Sequence, residues 1–154
     1  MTITAGVTAG HWSLLVVDRT SYEPGIITYF DSLPNFDSGI FDDLKTRMIG
    51  SSPLARTGSR WIRASIPRQH LGSNDCGIYA ACISACYTKT IFNGGRVVSE
   101  KTQRVDVSFD VTTEQFGLQG RRHILDSIET SRVDFDSSFF NRVTIVGSSA
   151  AIDV

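Results

Sequence analysis

The chain has 154 residues, 41% of them hydrophobic and 20% charged, a length and balance that suit one folded domain and exclude a disordered or fibrous chain. Fifteen Lys and Arg against sixteen Asp and Glu leave a formal net charge of -1, which removes the basic footprint of a nucleic-acid binder. Three cysteines, Cys76, Cys82 and Cys86, are odd in number and crowded into one segment, a poor disulfide framework that points to a reducing compartment, cytoplasmic or nuclear. The most apolar stretch, 76–87, is broken by Gly77 and Ser84 and falls short of the roughly 18 residues of a membrane span. Residues 1–10 lack the basic start and apolar run of a secretory signal, so no membrane partner is expected.

Residues 12–17 are nearly all apolar and include Val16 and Val17, which suits a buried strand. Residues 26–30 repeat the pattern. Turn chemistry with Pro24 and Gly25 lies between them, so the two runs are expected to form an antiparallel hairpin. A reversal centred on Ser21 sets Val16 against Ile26, Leu14 against Thr28 and Trp12 against Phe30, and brings His11 beside Asp31 at the open end. Next, Phe36, Ile40, Phe41, Leu44, Met48 and Ile49 recur at near-helical spacing, opened by Pro34-Asn35 and closed by Gly50. After a loop at 51–59, residues 61–66 alternate as a half-buried strand does, and Pro67 ends it.

A polar loop, 68–75, leads into a helix from Cys76 to about Thr88 whose residues are apolar or small nearly all round, the mark of a central buried helix. Asn93-Gly94-Gly95 ends it. Val105, Val107, Phe109 and Val111 alternate with polar neighbours as in a short strand or extended connection. Residues 118–128 read as a helix through Leu118, Arg121, Arg122, Leu125 and Ile128, and the tail after 130, with Phe139, Phe140, Val143, Ile145 and Val146, can add a strand.

The sharpest chemical feature is Asn74-Asp75-Cys76-Gly77 at a loop-to-helix junction. A cysteine in the first turn of a helix meets unpaired backbone N–H groups and the positive end of the macrodipole, both of which favour thiolate. His11 begins a buried strand and faces Asp31, and an imidazole held by a carboxylate has the fixed tautomer that a base acting on a thiol needs. Gln69 lies in the preceding loop, where its amide can join the Cys76 N–H in stabilising an oxyanion. Each feature also has a plainer reading: a buried cysteine, a structural histidine, an exposed loop glutamine.

The order His11-Trp12-Ser13-Leu14-Leu15-Val16, then Tyr29-Phe30-Asp31-Ser32, then Gln69, then Asp75-Cys76-Gly77-Ile78-Tyr79, resembles the ubiquitin-like-protein-specific cysteine proteases, the sentrin-protease family related to adenovirus protease. Phe116-Gly117-Leu118-Gln119-Gly120-Arg121-Arg122-His123-Ile124-Leu125 is similar to that family's closing helix, and the histidine strand most resembles the deneddylating branch. The resemblance implies an α+β, papain-like fold with the nucleophile helix packed on a mixed sheet. It also implies a cysteine-type peptidase or isopeptidase that cleaves after the C-terminal Gly-Gly of a ubiquitin-like modifier, deneddylating or deSUMOylating. By that resemblance Cys76 is the nucleophile, His11 the base, Asp31 its orienter and Gln69 the oxyanion donor. Trp12 would form one wall of a channel that admits only residues without side chains.

Two departures shape the expectation. Gln69 stands seven positions before Cys76, where six is commoner in the family, and His70 occupies the nearer position. The family also has a substantial segment before its histidine, with the opposing channel tryptophan. The chain is therefore expected to be an N-terminally truncated, C-terminal portion of the catalytic domain over 1–130, with a C-terminal extension over 131–154. The expected partner is a ubiquitin-like modifier and its conjugates, met by a monomer without cofactor or metal. Rival readings are a metal site at His70, Cys76, Cys82 and Cys86, whose spacing lacks Cys-x-x-Cys pairs; an acetyltransferase of the bacterial effector class; and a non-catalytic remnant that binds a ubiquitin-like protein without cutting it.

Overall fold

The computed structural model describes residues 2–8, 10–20, 23–33, 39–51, 53, 55–70 and 72–149. In chain order these form β1 (Thr2–Thr8), β2 (His11–Asp18), β3 (Ile26–Phe30), α1 (Ile40–Ser51), β4 (Arg60–Arg63), α2 (Cys76–Phe92), β5 (Arg104–Phe109), α3 (Thr113–Thr130), a 3-10 turn (Phe140–Arg142) and β6 (Val143–Ser148). The strands order as β1-β2-β3-β4, antiparallel through β3 and parallel between β3 and β4. An antiparallel β5-β6 pair is stitched on by Ser65, whose N–H donates to the Val105 carbonyl while its own carbonyl accepts from Val107, both at 2.8 Å. The result is the mixed α+β architecture that the sequence implied.

Helices cover the β2-β3 region on both faces, which is why those runs read as continuously apolar. Leu14, Val16, Ile26 and Phe30 pack against α2 through Ala80, Ile83 and Tyr87. On the opposite face Leu15, Val17, Ile27 and Tyr29 pack against Phe41, Leu44 and Met48 of α1. The residues expected to open α1, Pro34, Asn35 and Phe36, lie outside the described residues, and Gly50 falls inside the helix instead of ending it.

The hairpin register differs from expectation by two residues: Leu14 faces Phe30, Val16 faces Thr28 and Asp18 faces Ile26. Pro24 has no N–H to give a ladder and Gly25 adopts φ +122, so the reversal must extend through Gly25 before pairing begins. Asp18 Oδ1 also accepts from the Thr20 N–H at 2.8 Å and the Thr20 hydroxyl at 2.7 Å, starting the reversal after Asp18. Ser21, the expected centre, lies outside the described residues. A slip of two keeps every side chain on its face, so the core pattern survives and His11 stays within diagonal reach of Asp31.

Strand β1 was not expected. It runs from Thr2 opposite Val17 to Thr8 opposite His11, so the backbone of His11 is held in a ladder on this side. Its β-branched residues, Thr2, Ile3, Thr4, Val7 and Thr8, carried the signal. Helix α3 begins at Thr113 under a capping box, with the Thr112 hydroxyl accepting from the Gln115 N–H and the Gln115 side chain accepting from the Thr112 N–H, both at 3.2 Å. Leu118, Leu125 and Ile128, the apolar residues that marked this helix, face outward, and its inner face is Phe116, Gly117 and Gly120. Residues after 130 join the same core: Phe139 and Phe140 are buried, and β6 pairs with β5.

The two glycines let α3 approach α2 closely. A Cβ on Gly120 would stand 2.5 Å from Ile78 Cγ2, and one on Gly117 would collide with Asp75 Oδ2. Gly120→Ala should therefore destabilise the fold by about 1–3 kcal/mol through overpacking, read as a lowered urea midpoint at unchanged slope. An unchanged midpoint would mean that the helices separate at no cost.

Candidate active site

The open end of the β2-β3 pair, the loop before α2 and the first turn of α2 converge on one place. His11 is the first residue of β2 and Asp31 follows the last residue of β3, and the register sets them diagonally on neighbouring strands. His11 Nε2 donates to Asp31 Oδ1 at 2.7 Å, with the two residues 7% and 6% exposed. The carboxylate is itself fixed: Oδ1 also accepts from the Leu33 N–H at 2.7 Å, and Oδ2 accepts from the Tyr29 hydroxyl at 3.0 Å. With Nε2 carrying the proton given to Asp31, Nδ1 is the basic nitrogen of the neutral ring.

Cys76 opens α2 as expected, and its carbon skeleton shares a small cleft with Trp12 and Ser32, the chain neighbours of His11 and Asp31. The Trp12 indole lies over Gly77, where a Cβ would stand 3.6 Å from its Cδ1, an ordinary van der Waals contact. Trp12 is 43% exposed, so its ring lies across the first turn of α2 with one side open to solvent. The other two thiols lie deeper in the helix, where burial pushes Cys82 and Cys86 up to about 12.

Gln69 is buried and His70 is exposed, which settles which of the two adjoining residues points inward. The Gln69 Oε1 accepts from the Ser32 hydroxyl at 2.7 Å and its Nε2 donates to the Ser73 carbonyl at 2.8 Å. Its backbone N–H also donates to the Ser32 carbonyl at 3.1 Å, tying the loop to the end of β3. Between Gln69 and Cys76 the chain turns at Gly72, φ +78, with the Ser73 N–H donating to the His70 carbonyl. A side-chain amide has two N–H bonds, and with Oε1 fixed by Ser32 the second projects away from that contact.

Among residues the sequence reading did not single out, Ser32 and Tyr29 orient Gln69 and Asp31. Tyr29 lies two residues before Asp31, so strand periodicity already placed its side chain on the carboxylate's face. Asp75 is the N-cap residue of α2, but its side chain makes no capping hydrogen bond; it is 4% exposed and accepts two hydrogen bonds from Arg121 of α3. Nothing local in the sequence marks that partner, 46 positions away. The residues of the metal reading do not converge: His70 is exposed, Cys82 and Cys86 are in the core, and among the described residues no group of three His, Cys, Asp or Glu side chains could hold a metal ion. No helix among those residues is long and apolar enough to cross a membrane.

Neither a curated protein nor a solved structure matches the chain. A protein family does: its description, Ulp1 protease family, C-terminal catalytic domain, matches residues 4–112, from β1 through the cap of α3 and with all of His11, Asp31, Gln69 and Cys76 inside. That family consists of cysteine proteases that act on ubiquitin-like modifiers. A buried His-Asp pair and a cysteine at a helix N-terminus are groups such a protease requires, and the chain belongs to the Ulp1 protease family by its C-terminal catalytic domain.

Proposed function

We propose that the chain is catalytic, a cysteine-type peptidase or isopeptidase that cuts after the C-terminal Gly-Gly of a ubiquitin-like modifier, with residues 1–130 carrying the catalytic portion. The observation that carries this reading is the buried 2.7 Å His11-Asp31 pair next to the cleft that holds Cys76. In it His11 takes the thiol proton, and the Cys76 thiolate attacks the carbonyl of the last glycine. The Gln69 amide and the Cys76 backbone N–H receive the oxyanion. The tetrahedral adduct collapses to a thioester as imidazolium protonates the leaving amine; water, activated by the same imidazole, then releases the modifier's carboxylate. Asp31 holds the ring and stabilises its charged form.

Trp12 supplies one wall of the tail channel, its indole lying within ordinary van der Waals reach of a Cβ placed on Gly77. The resemblance of 11–16 to the deneddylating branch makes its modifier the first substrate to try and SUMO the second. Cytoplasm or nucleus is the setting in which such conjugates and a reduced Cys76 coexist.

The test is a panel of ubiquitin-like modifiers bearing a C-terminal electrophile, followed by mass spectrometry. Covalent labelling on Cys76 by at least one of them, lost in His11→Ala, is the expected result. A modifier that binds measurably while none labels would support the non-catalytic reading instead, and labelling of Cys82 or Cys86 at equal rate would refute the site.

A further inference from the structure

The Asp75 carboxylate directly precedes the proposed nucleophile, and it is a buried negative charge where thiolate is wanted. Its side chain makes no capping hydrogen bond to the helix. Its Oδ1 instead accepts from Arg121 Nε at 2.8 Å and from a second guanidinium nitrogen, and its Oδ2 packs against the α3 backbone at Gly117. Arg121 is half exposed while the carboxylate is 6% exposed, so the cation is the side of the pair that faces water. The charge of Asp75 reaches along the turn: the Tyr79 phenol is pushed up first by burial and second by Asp75. Left uncancelled, it would oppose the field of the helix N-terminus at Cys76.

We propose that Arg121 is a positioning residue for Cys76, which acts through Asp75 to hold the first turn of α2 and to cancel the negative charge that precedes the thiol. The inference rests on the reading of Cys76 as nucleophile and extends it to α3, which lies outside residues 4–112. Each part of the arrangement has a reason. Gly117 gives the carboxylate room to turn toward α3, the guanidinium offers two donors from one rigid fork, and the pair replaces an N-cap with a tie between helices. The other titratable group that lines the Cys76 cleft is Tyr79 from α2 itself, and the His11-Asp31 pair is formed by the chain neighbours of the cleft residues Trp12 and Ser32.

The experiment measures alkylation of Cys76 by iodoacetamide as a function of pH, with Cys76→Ala as the blank and thermal melting recorded alongside. Arg121→Met should slow alkylation at pH 7 about tenfold and move the profile to higher pH, because the Asp75 charge is no longer balanced. Adding Asp75→Asn to Arg121→Met should restore most of the rate, since no charge remains to be balanced. Arg121→Lys, which keeps the charge and loses the fork, should fall within about threefold of the parent, and it carries the test if Arg121→Met does not fold. A purely structural tie would make the double variant as slow as the single one or slower, and that result overturns the proposal, as does an Arg121→Met or Arg121→Lys profile at odds with these shifts. If the parent's Cys76 is no more reactive than a free thiol, the nucleophile reading itself fails and takes this inference with it.

Discussion

Cys76→Ala should lower hydrolysis of a modifier C-terminal amide by about 10⁴-fold or more in kcat/KM, while Cys82→Ala and Cys86→Ala should leave it within about threefold of the parent. The difference follows from position on one helix. Cys76 lies at the first turn of α2, where backbone N–H groups lack intrahelical partners. Cys82 and Cys86 are one and more turns further in, surrounded by Ile83, Tyr87 and Phe139, and burial pushes both up to about 12, so each stays a protonated, unreactive thiol at neutral pH. Their loss should instead appear as stability, about 1 kcal/mol each for the buried sulfur removed. A fluorogenic modifier substrate reads the first effect and urea unfolding the second. Activity lost in Cys82→Ala at unchanged unfolding midpoint would move the nucleophile away from the helix start.

How far the sequence reached depends on the range of the interaction involved. Elements set by local periodicity were legible: the all-round apolar α2 and the β-branched runs of β2 and β3 formed where hydrophobic pattern placed them, while the strand expected over 61–66 formed only over Arg60–Arg63, with Ser65 continuing as an isolated bridge to Asp106. The hairpin register was off by two because the length of the reversal depends on backbone details at Asp18, Pro24 and Gly25. That error did no harm to the site, since a strand's faces repeat every two residues. The inner face of α3 was not legible for a related reason. Leu118, Leu125 and Ile128 attract attention by hydropathy, but close packing against Ile78 and Asp75 needs small residues, and Gly117 and Gly120 have no hydrophobic signal to give.

The site was legible to the extent that its members announce their chemistry locally. A cysteine at a helix start and a histidine at a strand start can be named from residue type and position. The choice between Gln69 and His70 could not be made that way, because it turns on a tertiary hydrogen bond from Ser32 and on the turn at Gly72. The tie between Asp75 and Arg121 was invisible for the same reason: it joins two helices across 46 positions.

Asp31→Asn should lower kcat by about 10³–10⁴-fold with little change in KM, because Asp31 touches the base and not the substrate. The substitution is nearly isosteric, so its effect separates charge from shape. In the parent, Oδ1 accepts from both His11 and the Leu33 N–H while Oδ2 accepts from the Tyr29 hydroxyl. An asparagine that keeps its oxygen toward His11 must give its NH₂ to the Tyr29 oxygen; the ring stays in place, but the imidazolium formed during thiol deprotonation loses its counter-charge. An asparagine turned the other way presents a donor to Nε2 and forces the proton onto Nδ1, which removes the base altogether. Either orientation is slow; the first keeps the buried hydrogen bonds in altered form, whereas the second sets its NH₂ against the Leu33 N–H and loses that bond. Asp31→Ala differs in that it strands a buried histidine and the Leu33 N–H, and should add about 2–4 kcal/mol of destabilisation to a comparable loss of kcat. Tyr29→Phe removes only one donor to the carboxylate, so a loss of about tenfold or less is expected there. The ranking Asp31→Ala, Asp31→Asn, Tyr29→Phe in stability, with the first two alike in kcat, is what distinguishes an orienting carboxylate from a structural one. An Asp31→Asn enzyme within tenfold of the parent and equally stable would show that His11 takes its orientation from the β1-β2 ladder alone, and that the carboxylate contributes nothing to the proton transfer.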